Sequence, residues 1–280
     1  MTTTILRTLH YPLPATTLTQ QQCKTIMTPI LQAGLPYSGI ARTFPHALVY
    51  GPIEYQGLGI PNLYTSQGIS HIERILKYSH IDDDITGQLI RASVEQLKLE
   101  IGCNGPTLSL PYADFSKLAT NCWIRQTWQF MDAHQIRIED TTPDFLLSRA
   151  NDQLLIPLFH ETGLRDDQLH RLNLCWLFLQ VLTISDITTG CGTKITKAAW
   201  NGDRDTTRTS CYQWPTQGPP SIQDWVLWRT SLTRALSLQS ANRPRSPLGH
   251  WLPAEEQCRW FFDPSTERLY QKAGLETTYY

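Results

Sequence analysis

Apolar residues recur every three or four positions over seven stretches of this chain, the spacing of one buried face of an α-helix. The first covers residues 20–33, with Cys23, Ile26, Met27, Ile30 and Leu31 on one face. Thr19 followed by Gln22 fits a capping box at its start, and Gly34, Leu35 and Pro36 predict its end. Residues 66–80 repeat the pattern at Ile69, Ile72, Ile75 and Leu76. Residues 84–101 repeat it at Ile85, Leu89, Ile90, Val94, Leu97 and Ile101, with Gly102 as the stop. Asp82, Asp83 and Asp84 before this helix read as an N-cap and a favourable charge at the positive end of its dipole. A fourth helix is predicted over 114–134, with Phe115, Leu118, Cys122, Ile124, Trp128, Phe130 and Met131 apolar and Trp123 and Trp128 as core anchors. Residues 151–162 and 166–182 read as a pair split by Gly163. The second is apolar nearly all round after Arg171, so it is expected at the centre of the core. Ser221 caps a helix to about Gln239, with Asp224 in its first turn and Ile222, Trp225, Trp228, Leu232, Ala235 and Leu236 on its buried stripe.

The intervening segments are long. Tyr11-Pro-Leu-Pro14 cannot be helix interior. Residues 34–64 carry nine Gly and Pro and read as loop with short extended pieces such as residues 47–50. Such a loop is either functional or a connector packed by its own Phe44, Val49, Tyr50, Tyr55 and Leu58. A short strand is expected at 136–138, and 183–220 form a second irregular region. Residues 258–263 and 268–272 flank Pro264-Ser-Thr-Glu267, a turn signal for a small hairpin. The predicted fold is therefore mainly α: a helical domain with long Gly/Pro-rich loops and a small C-terminal β-hairpin. Its segments are 1–64, 65–185 and 186–280, or one continuous domain.

Composition narrows the class. With 41% apolar residues and nine Trp, the chain of 280 residues can build a core. No run reaches the roughly 18 apolar residues of a membrane span, and the N-terminus lacks a basic and then apolar leader, so an intracellular protein, cytoplasmic or nuclear, is expected. Seven Cys with no Cys-x-x-Cys read as buried free thiols. The net charge of −1 hides an asymmetry. Residues 65–171 hold fifteen acids against ten Lys and Arg, whereas 194–250 hold eight Lys and Arg against three acids.

Signatures of chemistry are absent from the sequence: no phosphate loop, no Gly-x-Gly-x-x-Gly, no His-Glu-x-x-His and no Gly-x-Ser-x-Gly. Pro143-Asp144 with Glu161 has the carboxylates of a metal-dependent nuclease but Gly163 where such a site needs Lys. His160, Glu161, Asp166, Asp167 and His170 read as solvated helix ends. Asp82–Asp84 follow a helix, not the strand of a polymerase palm. No catalytic residue, metal ligand or cofactor is predicted. What remains is a basic, aromatic set: Trp200, Arg204, Arg208, Trp214, Arg229, Arg234, Arg243 and Arg245. Planar rings with Arg hold single-stranded nucleic acid by stacking and phosphate pairing. The same residues also fit a Trp-rich core with an Arg rim.

Several blocks together resemble a known family. They are Tyr11-Pro-Leu-Pro-Ala-Thr16, Cys23 through Leu31, Arg42-Thr-Phe-Pro45, Tyr50-Gly-Pro52, Gln56-Gly-Leu-Gly59 and Asn62-Leu-Tyr64. With them stand Leu35-Pro36 and, further on, Leu182-Thr-Ile-Ser-Asp-Ile-Thr-Thr-Gly190, Trp200-Asn-Gly202, Gln213-Trp-Pro215, Trp225 through Arg229, Leu248-Gly-His-Trp251 and Trp260-Phe-Phe-Asp-Pro264. The chain is similar, over nearly its whole length, to the region downstream of the palm in reverse-transcriptase-like retroelement polyproteins of protists. The resemblance implies a thumb helix at residues 20–31, followed by a connector and C-terminal extension, with the catalytic carboxylates upstream. It implies contact with RNA or DNA, as template–primer or single strand, without polymerase activity of its own. The competing expectation is a helical interaction module that binds no nucleic acid, its partner unknown and the Trp-rich helix after Ser221 its surface.

Overall fold

The structure, a computed structural model, describes residues 7–81, 83–138, 143–147, 149–204 and 212–250, and the backbone alone of 260–263, 268–273 and 276–279. It is mainly helical. In chain order the helices are α1 (Gln20–Tyr37), α2 (His46–Tyr50), α3 (Leu63–Tyr78), α4 (Ile85–Ile101), α5 (Tyr112–Phe115), α6 (Trp123–Ala133), α7 (Leu155–Glu161), α8 (Asp166–Leu179), α9 (Ile184–Ile187), α10 (Lys197–Asn201) and α11 (Ile222–Ala235). The backbone then runs through strands β1 (Trp260–Asp263), β2 (Arg268–Ala273) and β3 (Glu276–Tyr279), paired antiparallel in that order. The turn at 264–267 and every side chain beyond residue 250 lie outside the described residues. The chain forms two compact units, residues 1–94 with 121–139 and residues 95–120 with 140–280.

In the first unit α1 carries the expected capping box, with Thr19 Oγ1 accepting from the Gln22 N–H and Gln22 Oε1 accepting from the Thr19 N–H. The helix runs past Gly34 and Pro36, contrary to the predicted stop. Cys23, Met27, Leu31 and Leu35 are buried at intervals of four, and burial of Leu35 carries the last turn. Val49, fully buried, makes residues 46–50 a helical turn where extended backbone was expected. Phe44, Tyr50 and Leu58 pack on the same cluster while Tyr55 is exposed, so the 38–62 connector is pinned to the core at a few apolar residues and otherwise lies largely at the surface.

Helix α3 corrects the periodicity reading most. Its buried face is Leu63, Gln67, Gly68, His71 and Ile75, leaving Ile69 and Leu76 exposed. Gln67 pairs with the peptide groups of Leu18: Oε1 accepts the N–H at 2.9 Å and Nε2 donates to the C=O at 3.0 Å. His71 Nδ1 lies 3.1 Å from Thr127 Oγ1, whose hydroxyl is already donated to the Trp123 C=O at 2.9 Å. Two polar side chains thus occupy positions that a pattern of apolar residues cannot reveal.

The helix predicted over 114–134 is two helices, α5 and α6, separated where the chain passes between units. No strand forms at 136–138. In the second unit α8 is central, burying Leu169, Leu172, Cys175, Trp176, Leu177 and Leu179, as its all-round apolar character requires. It ends at Leu179 because Gln180 turns left-handed, and α7 starts only at Leu155, after extended backbone at Leu154. α11 packs on α7 and α8 through Trp228 and Leu232. Its first predicted core residue, Ile222, is 82% exposed. The 183–220 region contains the one-turn helices α9 and α10.

Lys98 of α4 is 1% exposed and anchors the 143–145 segment. Its ammonium donates to the Pro143 C=O and to Asp144 Oδ1, both at 3.0 Å, and lies over the Phe145 ring. Asp144 also accepts the Gly105 N–H at 2.8 Å; that bond first, and then Lys98, hold its carboxyl below the usual aspartate range. The carboxylate considered for metal chemistry is thus engaged in holding a loop.

Two predictions follow from these buried groups. Burial holds the His71 pKa below its ordinary value, against the raising effect of backbone contacts to Thr16, with Arg74 adding to the depression. The unfolded chain then binds the proton more readily, so His71 should weaken the first unit as pH falls from about 7 through the unfolded value near 6.5. Denaturant titrations at several pH values should find this dependence reduced in His71→Gln. For the lysine anchor, Asp144→Ala leaves a buried ammonium short of a partner, whereas Lys98→Met removes the buried charge and leaves a carboxylate that is 59% exposed. Asp144→Ala should therefore cost more, about 2 kcal/mol, measured by urea unfolding. The part due to ionised Asp144 should also vanish in the wild type as pH falls below the aspartate range.

Candidate nucleic-acid interface

The basic segment of the second unit is built on short-range signals that its sequence carries openly. Ser221 and Asp224 form a capping box at the start of α11, and Arg171 closes on the same carboxylate at 2.6 Å. Asp224, the one buried acid of the basic stretch among the described residues, is thereby neutralised; the Ser221 and Arg171 hydrogen bonds outweigh burial and hold its pKa down. Thr183 and Asp186 form another capping box on α9. Thr196 caps α10, which ends at Gly202 with φ of +83°. A Cβ on Gly202 would stand 2.5 Å from the Trp225 ring, so Trp200-Asn-Gly202 is a sequence in which the last residue has to be glycine.

Arg149, 3% exposed, holds the neighbouring loops together. Its guanidinium donates to the Gly190 C=O at 2.7 Å and twice to the Gly249 C=O, at 2.9 and 2.6 Å. Beside it the Cys191 thiol lies 3.1 Å from Thr189 Oγ1 and 2.9 Å from Thr193 Oγ1, and these hydroxyls lower its pKa against the effect of burial.

The predicted aromatic half of the interface is largely absorbed by packing. Trp228 is fully buried, donates Nε1–H to the Ala199 C=O at 2.9 Å and packs edge-on against Phe159 and Trp225. Trp225 is also in contact with Phe178. Trp214 sits with Tyr212 against Leu99, Phe145, Leu154 and Leu182. Trp200 is half-buried on α10, four residues before exposed Arg204. Arg208 lies outside the described residues.

The cationic half is gathered. The chain turns after α11 so that the Arg245 N–H reaches the Leu236 C=O at 3.3 Å and the Gln239 N–H reaches the Arg243 C=O at 2.7 Å. Arg234 occupies the last turn of α11, so Arg234, Arg243 and Arg245 share one end of that helix. The Ile195 N–H donates to the Asn242 C=O at 3.0 Å, which brings Lys194 beside Arg243. Lys194 and Lys197, missing from the predicted set, belong to this rim; both were counted in the basic window, and only the pairing of 195 with 242 places them. Arg229 stands five residues before Arg234, half-buried and turned to a different side of the helix. Lys194, Lys197, Arg204, Arg234, Arg243 and Arg245 are all exposed, and among described residues 188–250 Asp203 is the one exposed acid. Part of this charge offsets the negative end of the α11 dipole, an effect of about half an elementary charge, which leaves the rim strongly positive.

Among the described residues no three His, Cys, Asp or Glu side chains gather where a metal ion could sit, and no helix is long and apolar enough to cross a membrane. The Arg149 clasp sets a prediction: Arg149→Met strands the Gly190 and Gly249 carbonyls and should cost roughly 3 kcal/mol, read by thermal unfolding, with increased hydrogen exchange at residues 189–194.

Compared with known protein families, with characterised proteins and with solved structures, the chain matches none.

Proposed function

We propose that the chain is a non-catalytic, nucleic-acid-contacting region of a reverse-transcriptase-like retroelement protein, in which the basic rim of the second unit holds phosphates of a template–primer duplex or a single strand. The observation that carries this reading is the convergence of Lys194, Lys197, Arg234, Arg243 and Arg245 on one end of α11, fixed by backbone bonds from Ile195 to Asn242 and from Arg245 to Leu236. Cations held on a rigid support with little acidic surface between them suit a polyanion whose charges repeat along a backbone. The retroelement assignment is supported by the sequence blocks named above and by a capped helix where the resemblance expects the thumb.

With Trp228 buried and Trp200, Trp214 and Trp225 half-buried, the contact rests on phosphates more than on bases. Binding should then be tolerant of sequence and steep in salt. A single-stranded oligonucleotide held at four phosphates should lose about 50-fold in affinity between 50 and 200 mM salt, given a slope near −0.7 per phosphate. Fluorescence anisotropy should show this for the wild type, with Arg234→Glu/Arg243→Glu/Arg245→Glu abolishing it. Affinity unchanged in that variant rejects the rim as the interface.

A second reading has one observation in its favour. Ile222 and Val226, one turn apart on α11, are both more than half exposed. A helical module that docks a protein through this helix would bind no oligonucleotide at low salt, and Ile222→Asp/Val226→Asp would disrupt its association in sedimentation velocity.

A further inference from the structure

The connector of residues 38–62 is more strictly built than a spacer requires. Its two arms are laced by backbone bonds from the Leu58 N–H to the Leu48 C=O (2.8 Å), the Gly59 N–H to the Gly51 C=O (2.9 Å) and the Ile60 N–H to the Val49 C=O (3.1 Å). Gly51 and Gly57 meet so closely that a Cβ on Gly57 would stand 2.1 Å from the Gly51 carbonyl oxygen. Val49, buried in the first unit's core, fixes the turn from the other side. This clasp presents His46 and Tyr50 of α2 to the first turns of α1 and to Tyr64 of α3.

Between them lies a cavity of about 450 Å³, within the size range of small-ligand pockets. Its polar lining is Gln20, Gln21, Lys24, His46, Tyr50, Asn62 and Tyr64, and no carboxylate is among its lining residues. Lys24 brings a full positive charge. The two glutamine amides, the imidazole and the two phenols can all donate hydrogen bonds. The first turns of α1 and α3 hold no acid, and their leading N–H groups are capped by the neutral side chains of Thr19 and Asn62, so no negative charge stands beside Lys24 there. The side chains of Tyr50, Tyr64 and His46 add flat surfaces, with His46 and Tyr50 set edge to face at 5.9 Å. Donors with one formal cation suit a compact dianion, and rings beside them suit a planar group attached to it.

We infer that this cavity binds a phosphate monoester carried on a planar base, the chemistry shared by a free nucleotide and the 5′-phosphorylated end of a strand. The inference concerns the first unit and does not rest on the basic rim of the second.

Isothermal titration calorimetry on the full chain tests it with adenosine 5′-monophosphate as the probe, a ligand too small to report on binding along a strand. Saturable binding is expected, with adenosine at least tenfold weaker. Lys24→Glu should weaken adenosine 5′-monophosphate tenfold or more and His46→Ala several-fold, as loss of charge-assisted hydrogen bonds implies. Both side chains are exposed, and unchanged circular dichroism would confirm that the variants fold. Absence of binding, equal affinity for adenosine, or full affinity in folded Lys24→Glu overturns the assignment. Competition by oligonucleotides separates the sources. Displacement by a 5′-phosphorylated strand but not its 5′-hydroxyl twin assigns the site to strand ends. Displacement by neither assigns it to free nucleotides, and equal displacement by both overturns the monoester reading.

Discussion

Buried peptide groups outside helices must find hydrogen-bond partners, and in this protein long polar side chains supply them. An unpaired buried N–H or C=O costs on the order of 1–3 kcal/mol, and a chain with this much irregular backbone presents many. Two side-chain amides act as surrogate strands. Gln67 pairs with both peptide groups of Leu18, and Asn104 does the same for Phe145, donating to its C=O at 3.1 Å and accepting its N–H at 2.8 Å. Asn173 caps the Glu100 carbonyl at 2.6 Å near the end of α4. Lys98 and Arg149 do with charge what the amides do with dipoles. Each ties a loop to the core of its own unit, so the loops are held by specific bonds even where apolar contacts are few.

The same constraint explains what could be read in the sequence and what could not. The starts of α1 and α11 were legible because their chemistry is local: Thr19 with Gln22 and Ser221 with Asp224 lie three residues apart and satisfy each other. The central place of α8 was legible because it is apolar on every side. The buried face of α3 was not, because Gln67 and His71 are polar by type and core residues by partner, and their partners, Leu18 and Thr127, are about 50 residues away in either direction. The break between α5 and α6 was hidden for a related reason. Apolar periodicity continues across it, while the chain there leaves one compact unit for the other.

The candidate interface divides along the same line. The sequence left open whether one surface uses both Trp and Arg or a Trp-rich core carries an Arg rim; in the fold, a Trp-rich stretch and an Arg-rich stretch that overlap in sequence serve different ends of the folding problem. Trp228 fills the space between α7, α8 and α10 and spends its one donor on Ala199. The guanidinium groups of Arg234, Arg243 and Arg245 are too costly to desolvate without partners and stay outside. Burial of the rings is what fixes the backbone on which the cations stand, because α10 and the turn after α11 both lean on the helix that Trp228 anchors.

That division bears on how a polyanion would be held. Stacking reads the faces of unpaired bases and requires exposed rings; phosphate pairing requires only charge at a repeat distance on a support that does not yield. Here the support is rigid, since the Ile195–Asn242 and Arg245–Leu236 bonds fix the cations through the backbone and not through flexible side-chain contacts. A rim of this kind distinguishes nucleic acids poorly by sequence and well by the density of their charge. Such behaviour suits a region that grips whichever strand it is given and leaves the choice of sequence to base pairing elsewhere.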